Sequence, residues 1–425
     1  MYAPCASSVV VLPNGLLTVA AARPGSANVH VEVAVRAGLR HEPEGQNGVA
    51  HMLEHLLGYE TRRFSGNAVL EESDRLGGQF GGGVRWEFSR FHLTVLPELL
   101  EDAVSLLADM TTASRMTDAL VEREKRVILE EIAHYADSPD MLLMERVSAA
   151  VFPEHPLGRP ICGTEASVRQ LTSADLERYH NAHYHPDNAV VVLVGDASVA
   201  EMQEMAEKHL GGWTGRSTAS PQPVPTPAAS VRKITERMLL NQAIVIVGLP
   251  TVGLTHRHAP HLEVAAQLLG SAAQKEIRGR HGLAYRTGSL YRGISDLGVL
   301  VVFAGTSSRQ REEVATRLHE MVFARATLTP EAVERARRAV LMRYVLRFER
   351  NAEYSRHLSE YASMGHLEAG MNWLERLREI TVAQMHEVWQ QHIQPGQEVL
   401  AQVLPLRGVR GLYGAARLLW NMRKR

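Results

Sequence analysis

The chain has 425 residues, 45% of them hydrophobic, and a formal net charge of −1. That length can bury two sizeable cores, and the near-neutral balance excludes the basic footprint expected of a nucleic-acid-binding protein. Two cysteines are too few for a disulfide framework and fit a reducing compartment. No apolar run reaches the roughly 18 residues a membrane span needs, and the opening Met1-Tyr2-Ala3-Pro4-Cys5 has no basic stretch of the kind that starts a secretory signal, so a cytoplasmic, bacterial setting is expected.

In chain order, Val29–Val35 reads as a strand. Next comes Asn47-Gly48-Val49-Ala50-His51-Met52-Leu53-Glu54-His55, which places two histidines four residues apart. Leu76-Gly77-Gly78 and then Gly81-Gly82-Gly83-Val84 lead into a predicted strand over 85–96. Residues 97–111 read as a helix with an acidic start at Glu98, Glu101 and Asp102, and Asp118–Ala136 reads as a second, free of Gly and Pro. Residues 190–194 form an apolar strand after the cluster His180, His183 and His185, which we assign to scaffold. A Gly- and Pro-rich stretch over 211–230 separates two halves. Strand, helix, strand then repeat at 243–248, 261–269 and 298–303, with Arg278 and Tyr285 seven residues apart between the last two. From Leu406 the tail carries Arg407, Arg410, Arg417, Arg423, Lys424 and Arg425 with no acid, interleaved with Tyr413, Leu418, Leu419 and Trp420. Such a segment can dock an acidic peptide, a partner or an anionic membrane surface.

The expected organisation is therefore a domain over 1–212, a linker over 213–230, a second domain over 231–405 and a basic tail over 406–425.

The His-x-x-Glu-His pattern carries chemistry. Residues i and i+4 of a helix share a face about one turn apart, the spacing needed to grip one metal ion. Glu54 lies beside both imidazoles, within reach of a water on that metal. This is the inverted zincin signature, which points to zinc-assisted peptide hydrolysis. A catalytic zinc wants a third protein ligand. Glu124 and Glu131 share a helix face two turns apart, so one can ligate while the other orients an imidazole; Glu130 competes for the ligand role.

These motifs resemble the M16 (pitrilysin-like) zinc metallopeptidases, within them the short processing-peptidase type. There the motif helix is followed about 76 residues later by a Glu ligand inside a Glu-x6-Glu pattern, which falls on Glu131 with Glu124 before it. His155-Pro156-Leu157-Gly158 with Gly163-Thr164-Glu165, and His183-Tyr184-His185-Pro186, resemble further segments of that family. The resemblance implies one Zn²⁺ per chain on His51, His55 and Glu131, Glu54 as general base, and Glu124 supporting a ligand. It implies that Arg278 and Tyr285 hold the substrate backbone and stabilise the tetrahedral intermediate. It also implies an α+β fold of two tandem homologous domains, each a mainly antiparallel sheet with helices on one face, together half of a clamshell. A half should dimerise, with itself or with another M16 subunit. Gly81, Gly82, Gly83 and Val84 replace the family's usual Asn-Ala-x-Thr before the strand that pairs with substrate, a departure that bears on subsite preference. The expected activity is cleavage of short or unfolded peptides, as in leader removal or maturation; general peptide turnover and a non-catalytic scaffold are the alternatives.

Overall fold

The computed structural model describes residues 6–136, 138–153, 155–218, 230–238, 240, 242–324 and 328–406. Most of the expected linker and the basic tail from Arg407 onward lie outside the described residues.

The first sheet has six strands: β1 (Ser7–Val11), β2 (Leu17–Ala22), β3 (Val29–Val35), β4 (Gln79–Val84), β5 (Ser89–Val95) and β6 (Ala189–Gly195), in the order β1-β2-β6-β3-β5-β4. β2 and β6 run parallel and the remaining pairs antiparallel. β3 and β6 are Val-rich runs buried along their whole length, the pattern of strands covered on both faces. Val29, Val31, Val33 and Val35 join a core with Leu53, Leu56, Leu107 and Met202, from helices Val49–Leu57, Leu100–Thr112 and Val199–Leu210. Ala34, Val190, Val192 and Val194 point the other way, onto Leu358 and Ala362 of helix Asn351–Ser363. The alternation is the period-two consequence of the pleat.

The second sheet has five strands: β7 (Arg232–Met238), β8 (Ala243–Val252), β9 (Ala284–Gly293), β10 (Leu297–Thr306) and β11 (Val399–Pro405), in the order β7-β11-β8-β10-β9. β7 and β11 are parallel, the others antiparallel. Two mixed α/β units result, as the fold class anticipated.

Their boundaries differ from the expected continuous division. The described residues within 1–135, 154–224 and 342–374 form the first unit, and those within 136–153, 225–341 and 375–425 the second. Helix Asn351–Ser363 thus covers the first sheet although it lies in the C-terminal half of the chain. Helix Pro139–Val151, from the N-terminal half, packs on β7 and β11. Each sheet has a face that its own half of the chain leaves apolar, and a helix from the other half fills it. The strand expected over 85–96 is shorter, running over Ser89–Val95. Arg85 N donates to Phe88 O at 2.8 Å in a turn, while Arg85 O and Trp86 O accept from Leu39 and Arg40, so β4 and β5 form a hairpin. The helix expected over 261–269 runs over Ala259–Ala273.

Candidate metal centre

The Val49–Leu57 helix starts where a buried carboxylate waits for it. Glu42 accepts from Asn47 Nδ2 at 2.8 Å, Gly48 N at 3.0 Å and Ala50 N at 3.2 Å. It thereby satisfies amide donors that a helix start leaves orphaned. Gly48 precedes the helix at φ +94, and a Cβ there would sit 2.9 Å from Cys162 O, so only glycine fits. These contacts fix the first turn of the helix, which carries His51.

His51 Nε2 and His55 Nε2 each lie 3.6 Å from the same atom, Oε2 of Glu131. A four-coordinate zinc with bonds of about 2.0–2.1 Å has ligand-to-ligand edges of about 3.4 Å, so this donor set fits such an ion. His51, Glu54 and His55 also offer atoms within 4.8 Å of one another. Glu130 is exposed, whereas Glu131 faces the histidines. Glu124, 1% exposed, takes His55 Nδ1 on one oxygen at 3.2 Å and Arg123 Nε on the other at 3.2 Å. Arg123 in turn lies over the Tyr59 ring. A His held through Nδ1 presents Nε2 to a metal in a fixed direction. His51 Nδ1 is buried without a hydrogen-bond partner.

The charges are poised for a cation. Burial, reinforced by His55, pushes His51 down to about 4, so its lone pair is free at neutral pH. Burial opposes charge on His55, but hydrogen bonds to Glu124 and Glu131 and the Glu54 charge outweigh it and raise it to about 10. A divalent ion held between those carboxylates would displace that proton. The hydrogen bond from His55 draws Glu131 down to about 2. Glu54 moves the opposite way: burial first, then the Glu131 charge, raises its carboxyl, the direction a general base needs.

Three features escaped the sequence reading. The first is Gly82. A Cβ there would collide with Glu54 Oε1, so the carboxylate occupies the space a side chain would take. Gly82 belongs to β4, the edge strand of its sheet, which brings backbone and base together. A glycine run in a strand does signal close approach, but not to what. The second is Cys162, whose Sγ lies 3.8 Å from His51 Nε2 and within 4.8 Å of Glu131; a cysteine far from any Cys-x-x-Cys pattern gave no cue. The third is Glu42, nine residues before His51 in a loop with no periodicity to reveal it.

Arg278 and Tyr285 belong to the second unit. Arg278 is exposed at the end of a π-helical turn, Gln274–Arg280, and its guanidinium lies 5.4 Å from the Tyr285 ring centre. Tyr285 is 77% exposed, so it is no core aromatic. His180, His183 and His185 each hydrogen-bond a backbone carbonyl, of Thr111, Tyr179 and Asn181. No helix of the described residues is long and apolar enough to cross a membrane.

Two such α/β units with a His-x-x-Glu-His helix and a distant acidic partner define an inverzincin-type arrangement. Residues 17–165 match the family model Insulinase (Peptidase family M16), and residues 170–340 match the Peptidase M16 inactive domain. The chain belongs to peptidase family M16. It is 33% identical over 304 residues to the uncharacterized zinc protease ML0855 of Mycobacterium leprae, covering 69% of this chain and 67% of that one. It is 29% identical over 324 residues to the uncharacterized zinc protease YmxG of Bacillus subtilis, covering 75% and 78%. Its fold matches a Helicobacter pylori protease with TM-score 0.84 at 20% identity, over 95% of this chain and 100% of that one. It also matches the periplasmic protease PqqL of Escherichia coli with TM-score 0.77 at 17% identity, over 95% of this chain but 48% of PqqL.

Proposed function

We propose that the protein is a zinc-dependent endopeptidase of short or unfolded peptides, suited to leader removal or peptide maturation. The observation that carries this reading is the convergence of His51 Nε2 and His55 Nε2 on one Glu131 oxygen, with Glu54 alongside. His51, His55 and Glu131 would hold the ion. Bound there, zinc supplies a Lewis acid and a water acidified to a pKa of about 7.

The chain's residues do the rest. Glu54 takes a proton from the attacking water and returns it to the leaving amine; burial raises its pKa, the direction that favours both transfers. Glu124 holds the His55 ring through Nδ1. The outer edge of β4, at Gly81 to Val84, offers unpaired backbone for an extended peptide to join as a strand, with open space beside Gly83 alone of the three glycines. Arg278 binds substrate carbonyls, and the exposed Tyr285 phenol donates to the developing oxyanion. In this reading the chain is half of a clamshell and works as a dimer, with itself or with a related subunit. Its fit to about half of PqqL supports that stoichiometry. The cytoplasm is the proposed location, from the scarcity of cysteine.

The test is digestion of a mixed pool of unstructured peptides, read by mass spectrometry, with Glu54→Gln alongside. Cleavage by the wild type should stop on chelation and fall by about 10²–10⁴-fold in the variant, while the variant keeps its zinc. Metal without cleavage, even with an added M16 partner, would favour a scaffold subunit.

A further inference from the structure

The second unit lacks the His-x-x-Glu-His helix but has a histidine cluster of its own. Ligand nitrogens of His256, His258 and His392 lie within 4.8 Å of one another. His258 caps the start of helix Ala259–Ala273 and His392 ends helix Val382–His392, so two helix termini hold the rings together. His258 Nδ1 is 2.9 Å from His392 Nε2, a ring-to-ring hydrogen bond that an ion held by both nitrogens would replace at the roughly 3.4 Å edge of a tetrahedral site. His256 Nδ1 accepts the backbone N–H of His258 at 3.0 Å, a contact a cation on that nitrogen would replace. His258 is 6% exposed, while His256 and His392 are half-buried and open to an entering ion. Beside them His261, 9% exposed, has its ring 5.5 Å from that of His258.

We propose that His256, His258 and His392 form a second metal site, for a borderline divalent transition metal such as Zn²⁺, Co²⁺ or Ni²⁺. Three imidazoles select such ions over Ca²⁺ and Mg²⁺, which want oxygen. The rings are neutral ligands rather than a cationic patch: burial pushes His258 and His392 down to about 4. Glu387, Arg257 and Arg376, one carboxylate and two guanidiniums, do not favour a cation. Glu387 faces the cluster and pairs with Arg257 at 3.5 Å, and Arg376 is turned onto the His256 and Arg257 carbonyls at 3.2 and 3.4 Å. Affinity must therefore come from the nitrogens and not from local field.

Among the described residues, every other candidate metal group contains His51. The full chain with His51→Ala and His55→Ala thus isolates the second site. After equilibrium dialysis against micromolar Zn²⁺, elemental analysis should find one equivalent bound, and Co²⁺ should give a visible d–d spectrum. Adding His258→Gln and His392→Gln should abolish both, with circular dichroism and His392→Gln alone as controls for folding. No bound metal in the His51→Ala, His55→Ala chain would overturn the proposal and leave His258 and His392 as a proton-sharing pair. That outcome is separate from the fate of the first site, which is read as the equivalent lost between wild type and this chain.

Discussion

The two sheets share a pairing plan and differ in what the helix over them presents. β2, β6, β3, β5 and β4 correspond in order and direction to β7, β11, β8, β10 and β9: one parallel pair, then three antiparallel. A helix follows the third strand of each series. In the first unit its third, sixth and seventh residues are His51, Glu54 and His55; in the second they are His261, Val264 and Ala265. Val264 and Ala265 are fully buried, whereas Glu54 and His55 keep partial exposure. The same helical face is apolar and buried in one unit and polar and partly exposed in the other. What separates them is an acidic helix, Asp118–Ala136, that supplies carboxylates to the first.

This comparison can be broken most sharply at Val264. If its face is core, Val264→Glu buries an unpaired carboxylate and should cost about 3–5 kcal/mol, seen as a large drop in the urea midpoint. A near-neutral result would mean that the face is not sealed and that the two helices differ less than their burial implies.

Gly82→Ala sharpens the other side. The added methyl meets Glu54 Oε1, the end of a flexible side chain, so the fold can survive while the carboxylate moves. We expect peptide turnover to fall about tenfold to a hundredfold through kcat, with zinc content and the unfolding midpoint unchanged. Unchanged turnover would show that Glu54 has another working position.

How much of this was legible in sequence follows the range of the interactions. The spacing of His51, Glu54 and His55 is local and needs only the helical period to read. Glu131 came through the M16 resemblance, because nothing in composition separates it from Glu124 or Glu130. Strand positions at 29–35 and 190–194 were plain from their apolar runs. The turn between β4 and β5 was hidden, since it is fixed by backbone bonds from Leu39 and Arg40 that leave no mark at 85–88. The exchanged helices were hidden for a similar reason. No element was singled out over Asn351–Ser363 in sequence, and only the apolar second face of a distant sheet decides where that helix packs.

That exchange makes a prediction about acid. His357 lies on the exchanged helix, 2% exposed, donating Nε2–H to Gly370 O at 3.1 Å. The rings of Tyr344, Phe348, Tyr361 and Trp373 surround it. Burial pushes it down to about 3, against about 6.5 in an unfolded chain. Between those values the unfolded state binds a proton that the folded state refuses. The stability owed to this residue is therefore intact above about pH 6.5 and is lost as pH falls toward 3, at about 1.4 kcal/mol per pH unit. His92 and His41, held down to about 4 and 3 by burial, act in the same direction in the same unit, so the wild-type slope is a sum and the difference from a variant isolates one member. His357→Gln should be somewhat less stable at pH 7, having lost aromatic packing, yet lose about 1–3 kcal/mol less than wild type between pH 6.5 and 4.5. Urea unfolding at both pH values reads this directly. Equal slopes would mean that His357 is protonated in the folded chain, and the helix that closes the first sheet would then be held by a charge rather than by a neutral aromatic cluster.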